Sequence, residues 1–132
     1  MKKAFLLLII ISSYVTFFSQ DVSKKGDSKP KIFYGTASFY SNKFNGRKTA
    51  NGEIFNQSKM TAACNVLPLG TWVKVTNLRN KRTVVVKIND RLHHKMKRVV
   101  DLTKAAAQKL GFVNSGLTRV RVEVLGKNKP ED

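Results

Sequence analysis

The chain has 132 residues, enough for one domain around one hydrophobic core. Its 25 Lys+Arg against 8 Asp+Glu leave a formal charge of +17, which points to a polyanionic partner and is silent about fold. The single cysteine, Cys64, excludes an internal disulfide, so core packing has to hold the fold.

Residues 1–20 read as a secretory leader: Lys2 and Lys3 precede an apolar run over residues 4–11 and a small, polar exit over residues 12–20. The run is too short to cross a bilayer comfortably. No cysteine follows it directly to carry a lipid anchor, so a protein secreted to the periplasm or cell envelope is expected. Export argues against nucleic acid, the usual partner of a basic chain. It favours the carboxylates and phosphates of an envelope. Residues 21–30 are polar, with Gly26, Ser28 and Pro30, and suit a flexible linker. One folded domain is expected over residues 31–126, with a tail at 127–132.

Within that domain, residues 33–40 form a short aromatic strand, where Gly35 marks a bulge or a close backbone approach. Residues 71–77 alternate, with Trp72, Lys74 and Thr76 on one side and Val73 and Val75 on the other. Residues 78–82 make a polar turn. The β-branched run 83–88 predicts a strand buried on both faces. A short strand is expected at 97–101. The alanine run 105–107 predicts a helix over 104–110, capped by Asp101 or Thr103 and ended by Gly111. Residues 118–125 alternate strictly, Val120, Val122 and Val124 inward. Several short strands with one Ala-rich helix predict an all-β small closed barrel, which leaves no exposed strand edge.

The folded segment carries only four acidic side chains, Glu53, Asp90, Asp101 and Glu123. Asp90 follows the apolar strand, where a carboxylate can project from a rigid element into a groove; Asn89-Asp90 equally suits a turn. Asp101 suits a groove position or a helix cap, and Glu53 follows an Asn51-Gly52 turn. Tyr40, Phe44 and Trp72 can stack on sugars or fill a core. Basic clusters at 43–48, 79–82 and 95–98 can line a glycan-binding face or simply be solvated loops. Cys64 with His93 and His94 matches no closed zinc spacing, and neither metal nor cofactor is expected.

Gly35-Thr36-Ala37-Ser38-Phe39-Tyr40, Lys48-Thr49-Ala50-Asn51-Gly52-Glu53, Thr61-Ala62-Ala63, Leu67-Pro68-Leu69-Gly70-Thr71, Asn89-Asp90-Arg91 and Asp101-Leu102 occur in an order and spacing that resembles the rare lipoprotein A domain. The resemblance runs from about residue 33 to residue 125. It implies a double-psi β-barrel, six strands in two interlocked halves, similar to the barrels of expansins. It also implies endolytic peptidoglycan transglycosylation: cleavage between MurNAc and GlcNAc on strands poor in stem peptides, leaving 1,6-anhydro ends. On this resemblance Asp90 occupies the catalytic aspartate position and Glu53 a second active-site position. Cys64 stands where the family has a histidine. Tyr40, Thr49, Asn51, Arg91, His94 and Asp101 become the candidate glycan contacts. A general acid in so cationic a chain needs desolvation or a nearby carboxylate, Glu53 or Asp101, to hold its proton. Peptidoglycan strands are the implied partner of a monomer that associates peripherally with the envelope. The alternative, favoured by Cys64, is a non-catalytic, expansin-like wall-binding module.

Overall fold

A computed structural model describes residues 31–131. The expected leader and linker lie outside the described residues. Six strands, β1 (Ile32–Phe39), β2 (Thr61–Ala63), β3 (Trp72–Asn77), β4 (Thr83–Asp90), β5 (Val100–Leu102) and β6 (Thr118–Gly126), and one helix, α1 (Lys104–Leu110), follow in chain order β1-β2-β3-β4-β5-α1-β6. The strands close into a barrel in the spatial order β1-β5-β2-β4-β3-β6. β1 runs parallel to β5 and β2 parallel to β4; the remaining neighbours are antiparallel.

This pairing scheme is unchanged when β1, β2 and β3 are exchanged with β4, β5 and β6. The β1–β5 pair becomes β4–β2, β1–β6 becomes β4–β3, and β2–β5 and β3–β6 map onto themselves. Strand lengths follow the same exchange for two of the three pairs, 8 residues for β1 and β4 and 3 for β2 and β5, while β3 has 6 and β6 has 9. The two halves of a double-psi β-barrel are therefore visible in the hydrogen bonding. The pseudo-twofold passes through the β2–β5 pair, where Ala62 faces Leu102 and Ala63 faces Asp101.

Valine is the commonest residue of the core. Val73, Val75, Val84, Val86, Val120 and Val122 point inward from the long strands and pack with Ile88, Leu102 and Leu110. β4 is not buried on both faces as its composition suggested: Val84, Val86 and Ile88 are buried, whereas Thr83 is exposed and Val85 and Lys87 are half-exposed. A barrel wall needs only one apolar face. The short strand expected at 97–101 lies instead at Val100–Leu102, and Thr61–Ala63, noted only as a motif, is a strand. Thr103 alone caps α1, its side chain accepting from Ala106 N; Asp101 is engaged elsewhere. Gly111, at φ 75°, closes the helix with its N–H on Ala107 and Gln108 carbonyls. Gly35 is a close approach and not a bulge: a Cβ there would lie 2.2 Å from Val99 Cγ1.

Candidate active site

Because β1 and β4 exchange under the pseudo-twofold, their C-terminal ends converge over the β2–β5 pair. Tyr40, one residue past β1, and Asp90, the last residue of β4, meet there. The Tyr40 hydroxyl donates to Asp90 Oδ2 at 2.6 Å. The other carboxylate oxygen, Oδ1, accepts from the Ala50 N–H at 2.9 Å. Asp90 is thus a strand residue, not a turn, and the surface beside it is a cleft of about 520 Å³. Tyr40, Phe44, Arg91, His93, Met96 and Asp101 also line this cleft.

The Ala50 donor is delivered by a tight turn. Thr49 N–H donates to Glu53 O at 2.7 Å and Gly52 N–H to Thr49 O at 2.9 Å, with Gly52 at φ 88°, a conformation that favours glycine. Within the turn, the Thr49 hydroxyl donates to Asn51 Oδ1 at 2.6 Å and Asn51 Nδ2 to Glu53 Oε1 at 2.7 Å. The turn docks on β4 through Asn51 N–H to Asn89 O at 3.2 Å. Glu53 reinforces that docking, accepting from Asn89 Nδ2 and Lys87 Nζ, each at 3.2 Å. The bond from Asn51, then those from Asn89 and Lys87, hold the Glu53 carboxyl below its ordinary range. Glu53 is therefore a standing anion that clamps the turn.

Tyr40 is packed between aromatic rings, its centroid 4.3 Å from Phe55 and 5.7 Å from Phe44. Burial, followed by the bond to Asp90 and the charges of Asp90 and Asp101, raises its phenol far above the usual tyrosine range. It stays a proton-bearing donor at any working pH. Asp101, the second carboxylate of the cleft, accepts from Ser38 Oγ and from Arg98 Nε at 2.9 Å and Nη2 at 3.3 Å. No ion pair reaches Asp90 among the described residues; the two that occur there are Lys87–Glu53 and Arg98–Asp101.

The structure thus gathers Asp90, Tyr40, Arg91 and Asp101 of the residues expected from sequence. Arg91 also donates from Nη1 to the Cys64 and Leu67 carbonyls at 2.5 and 2.6 Å, tying down the loop after β2. It does not bring Thr49, Asn51 or Glu53 into the cleft; they build the turn behind it. His93 lines the cleft in place of His94, whose ring stacks on it at 4.3 Å. Cys64 is beside the site through its backbone, its N–H donating to Asp90 O at 3.0 Å, but its thiol is 1% exposed and belongs to the core. A thiol so placed is a small apolar filler and not a proton carrier. Ser38, Ala50 and Met96 were not singled out from sequence. Ser38 and Ala50 stand inside motifs that carry the family resemblance; nothing local marks Met96. Among the described residues no three His, Cys, Asp or Glu side chains are gathered as a metal site.

Six strands paired about a pseudo-twofold, with a carboxylate-bearing cleft where the halves meet, define a cleft-bearing double-psi β-barrel domain. Residues 32–122 match the family model described as Lytic transglycolase, and the chain belongs to that family. It is 54% identical over 91 residues to the endolytic peptidoglycan transglycosylase RlpA of Pasteurella multocida (strain Pm70), covering 69% of this chain and 31% of that protein. It is 55% identical over 97 residues to a probable endolytic peptidoglycan transglycosylase RlpA of Nostoc sp. (strain PCC 7120), covering 72% of this chain and 26% of that one. The chain therefore spans about a third or less of the length of these curated relatives. Among solved structures, apo expansin of Clavibacter michiganensis shares the fold with a TM-score of 0.61 at 20% identity, over 77% of this chain and 53% of that one.

Proposed function

We propose that this domain is an endolytic peptidoglycan transglycosylase with Asp90 as its acid and then its base. Protonated Asp90 gives its proton to the oxygen joining MurNAc C1 to GlcNAc, and the C1–O bond breaks with the GlcNAc hydroxyl leaving. The Asp90 carboxylate then takes the proton of the MurNAc C6 hydroxyl, whose oxygen closes onto C1 as a 1,6-anhydro ring. Asp90 ends as it began and no water is consumed. Between the two transfers the carboxylate is held by the Tyr40 hydroxyl and the Ala50 N–H, charge-assisted bonds at fixed positions. Arg91, His93, Phe44 and Met96 form the walls against which a sugar chain would lie.

The observation that carries this reading is the setting of Asp90 in the cleft with only uncharged donors on its oxygens. Its support from relatives is the name shared by the transglycosylases matched above. The chain would act as a monomer outside the cytoplasm, where its positive charge concentrates it on an anionic wall. The test is product analysis. The chain, incubated with glycan strands freed of stem peptides, should release anhydro-ended fragments, and Asp90→Asn should release none.

A second reading, a wall-binding module that does not cut, is favoured by the burial of the Cys64 thiol, which leaves the family's histidine position without a proton-transfer group. It predicts wall binding with no anhydro ends from the unmodified chain.

A further inference from the structure

The outer face of β3 and β4 carries a second depression, of about 700 Å³, that the chemistry at Asp90 does not use. Strand register sets Trp72 opposite Lys87 and Lys74 opposite Val85, so aromatic or aliphatic surface alternates with ammonium groups across the two strands. Lys59, Lys109 and Lys129 add three further ammonium groups around the rim, against one carboxylate, Glu131.

We propose that this trough is a second saccharide site, which holds a carboxylate-bearing glycan strand away from the scission point; for the identity of the strand it rests on the function proposed above. Pyranose rings present flat C–H faces that stack on an indole, and Trp72 supplies one with Val85 and Leu125 beside it. Ammonium groups on flexible stems meet carboxylates as point charges, without demanding one geometry, which suits a substituent repeated along a polymer. A neutral glycan gives Lys59, Lys74, Lys109 and Lys129 nothing to bind. Nucleic acid fits less well, because no arginine lines the trough and there is one aromatic platform where successive bases need several. A membrane surface fits less well because Trp72 is half-buried in a concavity and does not protrude.

The trough and the cleft are linked by β4. Lys87 lines the trough and its Nζ reaches Glu53, the clamp of the turn that delivers the Ala50 donor to Asp90. From Thr83 to Asp90 the strand rises about 23 Å at roughly 3.3 Å per residue, a span that a single extended glycan chain can follow. Two linked contacts on one polymer raise the affinity for long strands over short ones.

Trp72 is the single tryptophan of the chain, so its emission reports on this trough alone. The whole chain carrying Asp90→Asn is titrated with long glycan strands bearing free lactyl carboxylates. A saturable change in emission is expected, with at least tenfold weaker response to a neutral chitin oligomer of equal length. The Lys74→Gln/Lys109→Gln double variant should weaken the response about tenfold at unchanged thermal midpoint. With Asp90 intact, that variant should cut short oligomers normally and long strands more slowly. Unchanged Trp72 emission while strands bind, or an equal or stronger response to duplex DNA or phosphatidylglycerol vesicles, overturns the proposal. Normal release of anhydro ends with a silent Trp72 overturns the trough alone. A Trp72 response without anhydro ends overturns the catalytic reading alone.

Discussion

Replacing Tyr40 with Phe removes one atom from the site and leaves its packing. The ring keeps its contacts with Phe55 and Phe44, while Asp90 Oδ2 loses the donor at 2.6 Å. A hydrogen bond to a charged acceptor is worth about 1.5–3 kcal/mol. If the Tyr40 bond strengthens as the Asp90 proton leaves, that loss falls on the barrier and lowers kcat by about ten- to hundredfold, at about 1.4 kcal/mol per factor of ten. The assay is the rate of anhydro-end release from denuded strands, with Asp90→Asn as the floor and the thermal midpoint as a control for folding. A loss confined to KM, with kcat unchanged, would show that the hydroxyl only holds sugar. An unchanged kcat/KM would refute the role given to the bond. The same variant carries a stability signature. Tyr40 is raised above its usual value in the folded chain, so above about pH 10 the unfolded chain releases this proton and the folded chain does not. That difference lowers stability as pH rises. Tyr40→Phe should lose this part of the alkaline fall, read from urea midpoints on either side of about pH 10.

Other residues give equally direct tests. Gly35→Ala puts a methyl 2.2 Å from Val99 Cγ1 on a stiff, β-branched side chain, and should cost about 1–3 kcal/mol of stability by overpacking; Val99→Ala in the same chain should restore most of the thermal midpoint. Glu53 is held below its ordinary value, so the stability it lends the turn is present above about pH 4.5 and is lost as pH falls below that. Glu53→Gln should flatten that acid limb by less than about 1 kcal/mol, given the exposure of the pair. It should also slow catalysis less than Asp90→Asn does, which a comparison of the two rates checks. Cys64, 1% exposed, should react with a thiol reagent only in denaturant, and full labelling of the native chain would contradict its placement in the core.

Elements whose signal is local were readable in the sequence. Three alanines between Thr103 and Gly111 specify α1, and strict alternation specifies β6. β2 and β5 have three residues each, too few for a period to show, and they are strands because their neighbours pair with them. At the site, Asp90 was conspicuous as a rare carboxylate closing an apolar strand. Its partner Tyr40 lies fifty positions away and is brought there only by the convergence of β1 and β4. The same limit hid the fate of Cys64. The resemblance put it at the family's histidine position, but the side chain of a short barrel strand's flanking residue turns into the core or out of it according to register, which no local pattern reveals.

The disposition of the three motif carboxylates sets one of them apart: among the described residues, two are ion-paired and Asp90 is not. Glu53 is engaged by Lys87 and Asp101 by Arg98. Asp90 has no cation on either oxygen among the described residues. Its donors are a phenol and a backbone amide, neither of which changes charge when the proton comes or goes. No cation among the described residues bonds Asp90, although Lys43, Arg91 and Arg98 line the same cleft. Lys87 and Arg98 are held by Glu53 and Asp101, and the floor where β1 and β4 converge is held by neutral bonds. Introducing a cation at that floor tests this directly. Ala63→Lys sets an ammonium in the strand position that pairs with Asp90, and it should abolish anhydro-end release while wall binding persists. Retained cutting by a folded Ala63→Lys chain would show that the neutrality of the donors is incidental.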